Sequence, residues 1–554
     1  MTEHSKLAGR LLVDCLLEQG CDRIFTVPGE SFLAVLDGLH DVPAIDTVVC
    51  RQEGGAAFMA CADGAMTGRP GVCFVTRGPG ATNASIGVHV AHQDSQPMIL
   101  FVGDVDRGMK DREGFQELDF QAVFGPMCKW AARIDDAARI PEYVARAWSV
   151  AIAGRPGPVV LALPEDMLRE EIEGIAPRPA VVRPAQAACP DAMGALMAML
   201  GDAVAPIAIV GGAGWNAKAR DHFTAFAEAV GLPVAGAFRR QDAVPNSSKV
   251  WAGNLGYGPN PKLLERVRAA DLVIAVGARL GEATTDGYEL LTPDHPDQTL
   301  VHVHPDPEEL GRVYRADLAI CADMAEFSES VALLADEVID FDAGAEAHRE
   351  WIDWSTPQDS GSSGLDLALA VKTMRELLPA DAIICNGAGN FSGWWHRYWP
   401  YEGYPSQLAP TAGAMGYGVP AAVAAARRFP DRSVVAVAGD GDFLMNGQEL
   451  ATAGALDLDL LVLVIDNGVY GTIRMHQERD YPARVSGTTL ANPDFARFGE
   501  AFGAWAATAD DNAGFDAAMK EAAGRSGVRL IHCRTEIENL AASGLKLSTL
   551  RSRA

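Results

Sequence analysis

The segment SVVAVAGDGDFLMNGQELATAGALDLDLLVLVIDNGVYG, from Ser433 to Gly471, combines residue types that can hold a phosphorylated ligand and a hard cation. An apolar run ends in Gly439-Asp440-Gly441, a helix is predicted from about Asn446, and a second apolar run ends in Asp466-Asn467. Glycines let the backbone approach an anion, and a helix N-terminus beyond them suits a phosphate. Asp440 and Asn467 are hard oxygen donors of the kind Mg2+ takes beside phosphate oxygens, and their separation of 27 positions makes one helix plus one strand. Three further features could do chemistry. Glu53 follows an apolar run in VVCRQEGGAA, the glycine turn Gly389-Asn390 follows another, and Met415 stands in QLAPTAGAMGYGVP.

The elements that must position these groups are short continuous apolar runs alternating with amphipathic helical patterns. Ile24 to Val27, Val72 to Thr76, Pro97 to Val102 and Pro158 to Leu163 read as buried strands. The alternation restarts at Pro206 to Val210, Leu272 to Val276 and Leu300 to Val303. It restarts again at Ala382 to Cys385, Ser433 to Ala438, Asp459 to Ile465 and Val528 to Cys533. IEGIAPRPAVVRPA (172 to 185) and STPQDSGSSG (355 to 364) interrupt it as linkers. The fold class is therefore α/β, with three doubly wound parallel-sheet domains at 1–171, 187–340 and 365–554. Ligands in such sheets bind beyond the carboxyl ends of the strands.

Composition narrows the partners. The chain has 554 residues, 48% hydrophobic and 21% charged, enough to bury several cores. With 46 Lys and Arg against 73 Asp and Glu, the net charge of -27 repels nucleic acid and anionic lipid. No apolar run approaches the roughly 18 residues of a membrane span, and the opening MTEHSKLAGRLLVDCLLEQG reads as an amphipathic helix rather than a signal peptide. A cytoplasmic location follows as the expectation. The ten cysteines lie in apolar segments without CxxC or Cys/His spacing, as packed thiols do and zinc sites do not.

The Ser433–Gly471 segment resembles the diphosphate-binding motif of thiamine diphosphate enzymes, and nearly the whole chain resembles their acetolactate synthase-like branch. The similarity extends to RGPGATNASIG, GFQELDFQAVFGP, AGRPGPVVLALPEDM and FLMNGQELATA. The resemblance implies that thiamine diphosphate binds with Mg2+ held by Asp440, Asn467 and the carbonyl of Val469. Around the cofactor it places Gly439, Gly441, Asp442, Tyr470 and Gly471, with Gly389 and Asn390 on the diphosphate. It implies that Gly413 accepts from the 4′-amino group and that Met415 wedges the cofactor into a V. Glu53 would exchange a proton with N1′ and so promote the imino tautomer that acts as base toward C2–H. Phe115 and Gln116 match residues beside the thiazolium. Because the family builds its site between the first domain of one subunit and the third of another, a homodimer is the implied minimum and a tetramer the common larger form.

The chain also departs from that branch. The family's usual pair of Asn residues reads Asp466-Asn467, leaving the ligand position intact. His476, in IRMHQERDY, stands where acetolactate synthases carry a tryptophan that shapes the pocket for the second 2-oxo acid. Glu30 and Ser31 replace the branch's PGGA ending, and Arg77 brings a cation suited to a substrate carboxylate or phosphate, or to pairing with Glu30 or another acid. In the central domain, where the branch holds FAD, GGAGW and GARLGEATTDGY keep glycines after strands. The FDDR-like run is missing and His304 replaces an acid, so FAD stays a candidate alongside ADP or an empty domain.

The implied reaction decarboxylates a 2-oxo acid and ligates the resulting enamine to a second carbonyl compound. A 2-oxo acid decarboxylase, a hydroxyketone or diketone lyase, and a flavin-linked oxidoreductase of the pyruvate oxidase type are the alternatives.

Overall fold

The structure is a computed structural model that describes residues 6–294, 297–334, 341–360 and 364–551. The ends of the second and third domains as read from sequence, at 340 and 554, and the centre of the second linker lie outside the described residues. Three six-stranded sheets carry the fold, and all strand pairings within them are parallel. The first sheet runs Asp46–Val49, Arg23–Thr26, Gly71–Val75, Met98–Asp104, Pro158–Pro164, Trp130–Arg133. The third runs Gln407–Leu408, Ile383–Asn386, Val434–Gly439, Leu460–Asp466, Val528–Arg534, Trp505–Ala509. Counting strands in chain order within each sheet, both have the order 2-1-3-4-6-5.

The central sheet has the other doubly wound order, 3-2-1-4-5-6, through Trp251–Asn254, Val234–Gly236, Pro206–Val210, Leu272–Val276, Thr299–His304 and Leu318–Cys321. In each sheet the crevice for a ligand opens where the order reverses. That point lies beyond Thr26 and Val75 in the first sheet, Val210 and Val276 in the second, and Asn386 and Gly439 in the third. Central strands such as Gly71–Val75, Met98–Asp104 and Val434–Gly439 are buried along their whole length. This is why their sequences are continuous rather than alternating apolar runs.

By packing, the chain forms two compact units. One comprises residues through Pro184 together with Val423–Arg428 and Asn446–Leu456; the other holds the central and third sheets. In the first unit Lys6–Leu7 pairs antiparallel with Glu171–Ile172. There the helix Glu53–Thr67 lies against the helix Gly78–Gln93 at very close range, for a Cβ on Gly87 would stand 2.4 Å from the Ala57 Cβ. Arg428 anchors the inserted segment through ion pairs to Asp22 and the buried Asp63 at 2.7 and 2.8 Å. In the second unit a buried polar network joins the central and third sheets, with Gln241 N–H donating to Gln407 Oε1 at 2.7 Å and Ser406 N–H to Asp242 Oδ2 at 2.9 Å.

One local reading needs correction. The helix after the GDG triplet starts at Asp440, not near Asn446: Asp440–Asn446 is helical, a 3-10 turn covers Gly447–Glu449, and Leu450–Ala455 resumes the helix. Asp440 and Asp442 in that first turn favour the positive end of the helix, which outweighs the glycine between them. Met415 lies in a turn ahead of the helix Gly418–Arg428. Residues 173–189 carry no regular structure. Among the thiols, Cys189 is exposed and Cys128 and Cys321 are half-buried, while the other seven are buried. No described helix is long and apolar enough to cross a membrane.

Candidate active site

In the third sheet, Gly439 lies opposite Ile465, so the strands deliver Asp440 and Asp466 at neighbouring carboxyl ends. A cavity of about 420 Å³ opens there. Its walls include Gly389, Asn390, Gly413, Met415, Gly439, Asp440, Gly441, Asp442, Asn467, Val469, Tyr470 and Gly471, so the structure brings every candidate of the third domain but His476 to one place. His476 is half-buried further along the helix Gly471–Asp480.

The glycines are dictated by what lies on them. A Cβ on Gly441 would stand 2.5 Å from the Tyr470 ring, and one on Gly389 or Gly439 would strike the Phe391 ring at 2.7 or 2.8 Å. Phe391 and Tyr470 therefore hold the turns flat against the cavity. The Asn390 side chain is tied on both ends, accepting from Thr472 Oγ1 at 2.9 Å and donating to the Leu540 carbonyl at 2.8 Å. The cavity is thus bounded by two helix N-termini, at Asp440 and Gly471, a geometry suited to a diphosphate.

Asp440 Oδ2 accepts from the Gly468 amide at 3.0 Å and from Asn492 Nδ2 at 2.7 Å, and its Oδ1 accepts from the Gly441 amide at 2.9 Å. Asp466 Oδ1 shares the same two donors, at 3.0 Å from Gly468 and 2.8 Å from Asn492, while His532 Nε2 lies 2.8 Å from its Oδ2. Burial pushes the Asp440 carboxyl up to about 6, and the neighbouring Asp466 charge adds to that shift. Burial opposes the charge on Asp466 as well, but the hydrogen bonds from His532, Asn492 and the Gly468 amide outweigh it and hold that carboxyl low. Two carboxylates bridged by one amide side chain leave an excess of negative charge in a buried place. With the Asn467 oxygen and the Val469 carbonyl nearby in sequence, this all-oxygen set fits a dication such as Mg2+. The Asn467 Oδ1 accepts from the Val469 amide at 3.1 Å, which fixes the turn between them.

Asp442 is separate from that pair. Its Oδ1 accepts from the Gly416 amide at 2.7 Å and the Ala388 amide at 3.2 Å, its buried Oδ2 has no hydrogen-bond partner among the described residues, and burial pushes its carboxyl up to about 7. It ties the Met415 turn to the turn after Asn386. Gly413 has φ +69° and is exposed, a left-handed conformation suited to glycine.

In the first domain, Glu53 is the first residue of its helix, behind the cap Gln52, whose side chain accepts from the Gly55 amide at 3.0 Å. Asn83 Nδ2 donates to Glu53 Oε2 at 2.9 Å from the helix packed alongside. Phe115 stands 75% exposed on a loop. Its neighbour Gln116 takes φ +65°, which costs about 1 kcal/mol for a residue with a side chain. The Gln116 carbonyl accepts from the Gly78 amide at 3.0 Å, and a Cβ on Gly78 would press on it at 2.9 Å. Arg77 pairs with Glu165 at 2.5 Å rather than with Glu30, which is exposed. Ser31 is fully buried, its hydroxyl 2.9 Å from Thr76 Oγ1, and so turns into the fold.

In the central domain Gly212 and Gly277 at the reversal point take φ +76° and +72°, and Trp215 Nε1 donates to the Gly211 carbonyl at 2.8 Å. The turn fits a phosphate, with the N-terminus of the helix Ala217–Val230 behind it. The end of the strand Thr299–His304 supplies no acid for a ribose: the His304 ring accepts from the Asp306 amide at 3.0 Å, and burial holds it down to about 4, neutral at physiological pH.

The sequence reading missed Asn492, Asp466, His532 and Asn83 as site residues. Asn492 and His532 are 26 and 66 residues from Asp466, and neither sits in a glycine turn. Only Asp466 left a signal, as an acid where an amide was anticipated.

Comparison with known proteins places three family models along the chain in order. These are the N-terminal TPP binding domain of thiamine pyrophosphate enzymes at residues 7–123, their central domain at 193–331 and their C-terminal TPP binding domain at 387–533. The chain is 31% identical to an acetolactate synthase large subunit of Corynebacterium glutamicum over 89% of its own length and 81% of that protein's. It is 30% identical to the large subunit of acetolactate synthase isozyme 3 of Escherichia coli, over 89% and 88% of the two chains. The isozyme 2 large subunit of the same organism is 29% identical over 96% of each.

Proposed function

We propose, from the premise that the chain belongs to the thiamine pyrophosphate enzyme family and is related to acetolactate synthase large subunits, that it decarboxylates a 2-oxo acid and joins the retained acyl unit to a second carbonyl compound. The observation that carries this reading is the convergence of the Gly389, Gly413, Gly439 and Asn467 turns on one cavity beside the buried Asp440 and half-buried Asp466 carboxylates, which share the Asn492 amide. Asp440, Asn467 and the Val469 carbonyl would hold Mg2+ against a diphosphate seated at the Asp440 and Gly471 helix ends. Bound there, thiamine diphosphate would supply the carbon nucleophile and electron sink that a decarboxylation beside a carbonyl needs. Met415 would support the bent cofactor, and the Gly413 carbonyl would accept from its amino group. Glu53, oriented by Asn83, would exchange the proton at N1′. Phe115 and Gln116 would cover the reacting carbon.

Glu53 would serve the third domain of a second copy, making a homodimer the working unit and a tetramer the larger assembly; sedimentation of the holoprotein tests this. The acceptor differs from an unmodified pyruvate or 2-oxobutyrate, because His476 removes a large apolar wall and adds a polar ring. Arg77 is already engaged by Glu165, so its part in substrate binding is to order the Phe115 loop, whose carbonyl lies 3.5 Å from Arg77 Nη1. With His304 at the end of the strand Thr299–His304, where the branch carries an acid, the reading includes no flavin step; visible flavin absorbance in purified protein would reverse that.

The test is incubation with thiamine diphosphate, Mg2+ and a panel of 2-oxo acids and aldehydes, with products followed by NMR. Release of CO2 with a hydroxyketone or acetohydroxy acid is the anticipated result. Free aldehyde alone would make the protein a decarboxylase.

A further inference from the structure

Glu449 is fully buried in the first unit, where it was carried by the chain just past the GDG helix. Its Oε1 accepts from the backbone amides of Arg51 and Gln52 at 3.0 and 3.1 Å, and Thr452 Oγ1 donates to its Oε2 at 2.6 Å. These hydrogen-bond partners are two amides and a hydroxyl rather than a cation. Burial accordingly raises its carboxyl above the ordinary range, with the three bonds opposing the shift. A carboxyl kept in such a place is expensive unless its bonds are needed. The surroundings are shaped for it: a Cβ on Gly55 would stand 2.7 Å from Glu449 Oε1, so only glycine leaves it room.

The two amides it holds belong to the residues immediately before Glu53. Gln52 caps the helix that Glu53 opens, and Asn83 takes the Glu53 carboxyl from the other side. We infer that Glu449 is a positioning residue for Glu53: it clamps the backbone of the Arg51–Gln52 turn so that the Glu53 carboxyl keeps its reach toward N1′ of the cofactor. This rests on the reading of Glu53 given above.

Three variants test it: Glu449→Gln, Thr452→Val, which loosens the carboxyl without removing it, and the control Glu53→Gln. Three readouts are used: amide exchange of the 49–55 peptide in the cofactor-free protein, thiamine diphosphate affinity, and the rate of C2–H exchange of bound cofactor with its pH profile. In Glu449→Gln, faster amide exchange at Arg51 and Gln52, cofactor affinity within about threefold and C2–H exchange slowed by about tenfold or more support the proposal, since misplacing a reacting group by a fraction of its contact distance has effects of this order. Thr452→Val is expected to slow C2–H exchange less, in the same direction. A lowered melting temperature with unchanged C2–H exchange and pH profile, while Glu53→Gln abolishes exchange, overturns the proposal and leaves Glu449 a staple. Unchanged exchange in Glu53→Gln overturns the Glu53 reading and the proposal with it. Should Glu449→Gln fail to fold, the same criteria apply to Thr452→Val.

Discussion

His532 Nε2 lies 2.8 Å from Asp466 Oδ2, on the opposite oxygen from the one that shares Asn492 with Asp440. Asp466 is thereby held as the anion, and Asn492 becomes the spacer that keeps two carboxylates from repelling each other apart. Replacing Asn492 with Ala removes a donor from both acids at once. We expect Mg2+ affinity to fall about 10- to 100-fold, the range for groups that orient metal ligands. Mn2+ titration followed by electron paramagnetic resonance reads this directly, and affinity equal to that of the parent would show the bridge to be dispensable.

Metal binding should depend on pH through Asp440. Mg2+ takes the deprotonated carboxylate, and burial aided by Asp466 raises the proton affinity of Asp440 to a midpoint of about 6. The apparent metal affinity is then level above that pH and weakens by up to about tenfold for each unit below it. Because the folded value is raised, the same charge costs the metal-free fold stability above the midpoint, and protonation restores it as the pH falls. Calorimetric Mg2+ titrations between mildly acidic and neutral pH check the first statement, and melting of the metal-free protein over the same range checks the second.

Glu53→Gln keeps the size of the side chain and a hydrogen bond with Asn83 but cannot exchange a proton. Turnover should drop by about 100-fold or more, the usual weight of a general acid–base group, with cofactor affinity nearly kept. A variant as active as the parent would remove Glu53 from the chemistry.

Arg428 faces Asp63, whose carboxyl is raised by burial in spite of the guanidinium beside it. Arg428→Met leaves that carboxyl the more distant Arg23, 3.9 Å away, and unfolding by urea should show a loss of about 3 kcal/mol. Adding Asp63→Asn should recover part of the loss, since the stranded charge is then gone.

The strands legible in sequence were the interior ones. Gly71–Val75, Met98–Asp104, Val434–Gly439 and Leu460–Asp466 are covered on both faces, so burial wrote itself into continuous apolar runs. The strands that were missed are mostly edges. Trp130–Arg133, Leu318–Cys321 and Trp505–Ala509 are partly exposed and need no such run, and Gln407–Leu408 and Val234–Gly236 are too short to leave one.

Chain-local demands determined the glycine turns, the Asp440 and Asn467 spacing and the Glu53 helix start, because each must be met within a few residues of where it acts. The positions of Asn492, His532, Asn83 and Glu449 were decided only by the tertiary structure. Each reaches its partner across a sheet or between packed helices, and a hydrogen bond between residues 26 to 398 positions apart imposes no pattern on the sequence around either end.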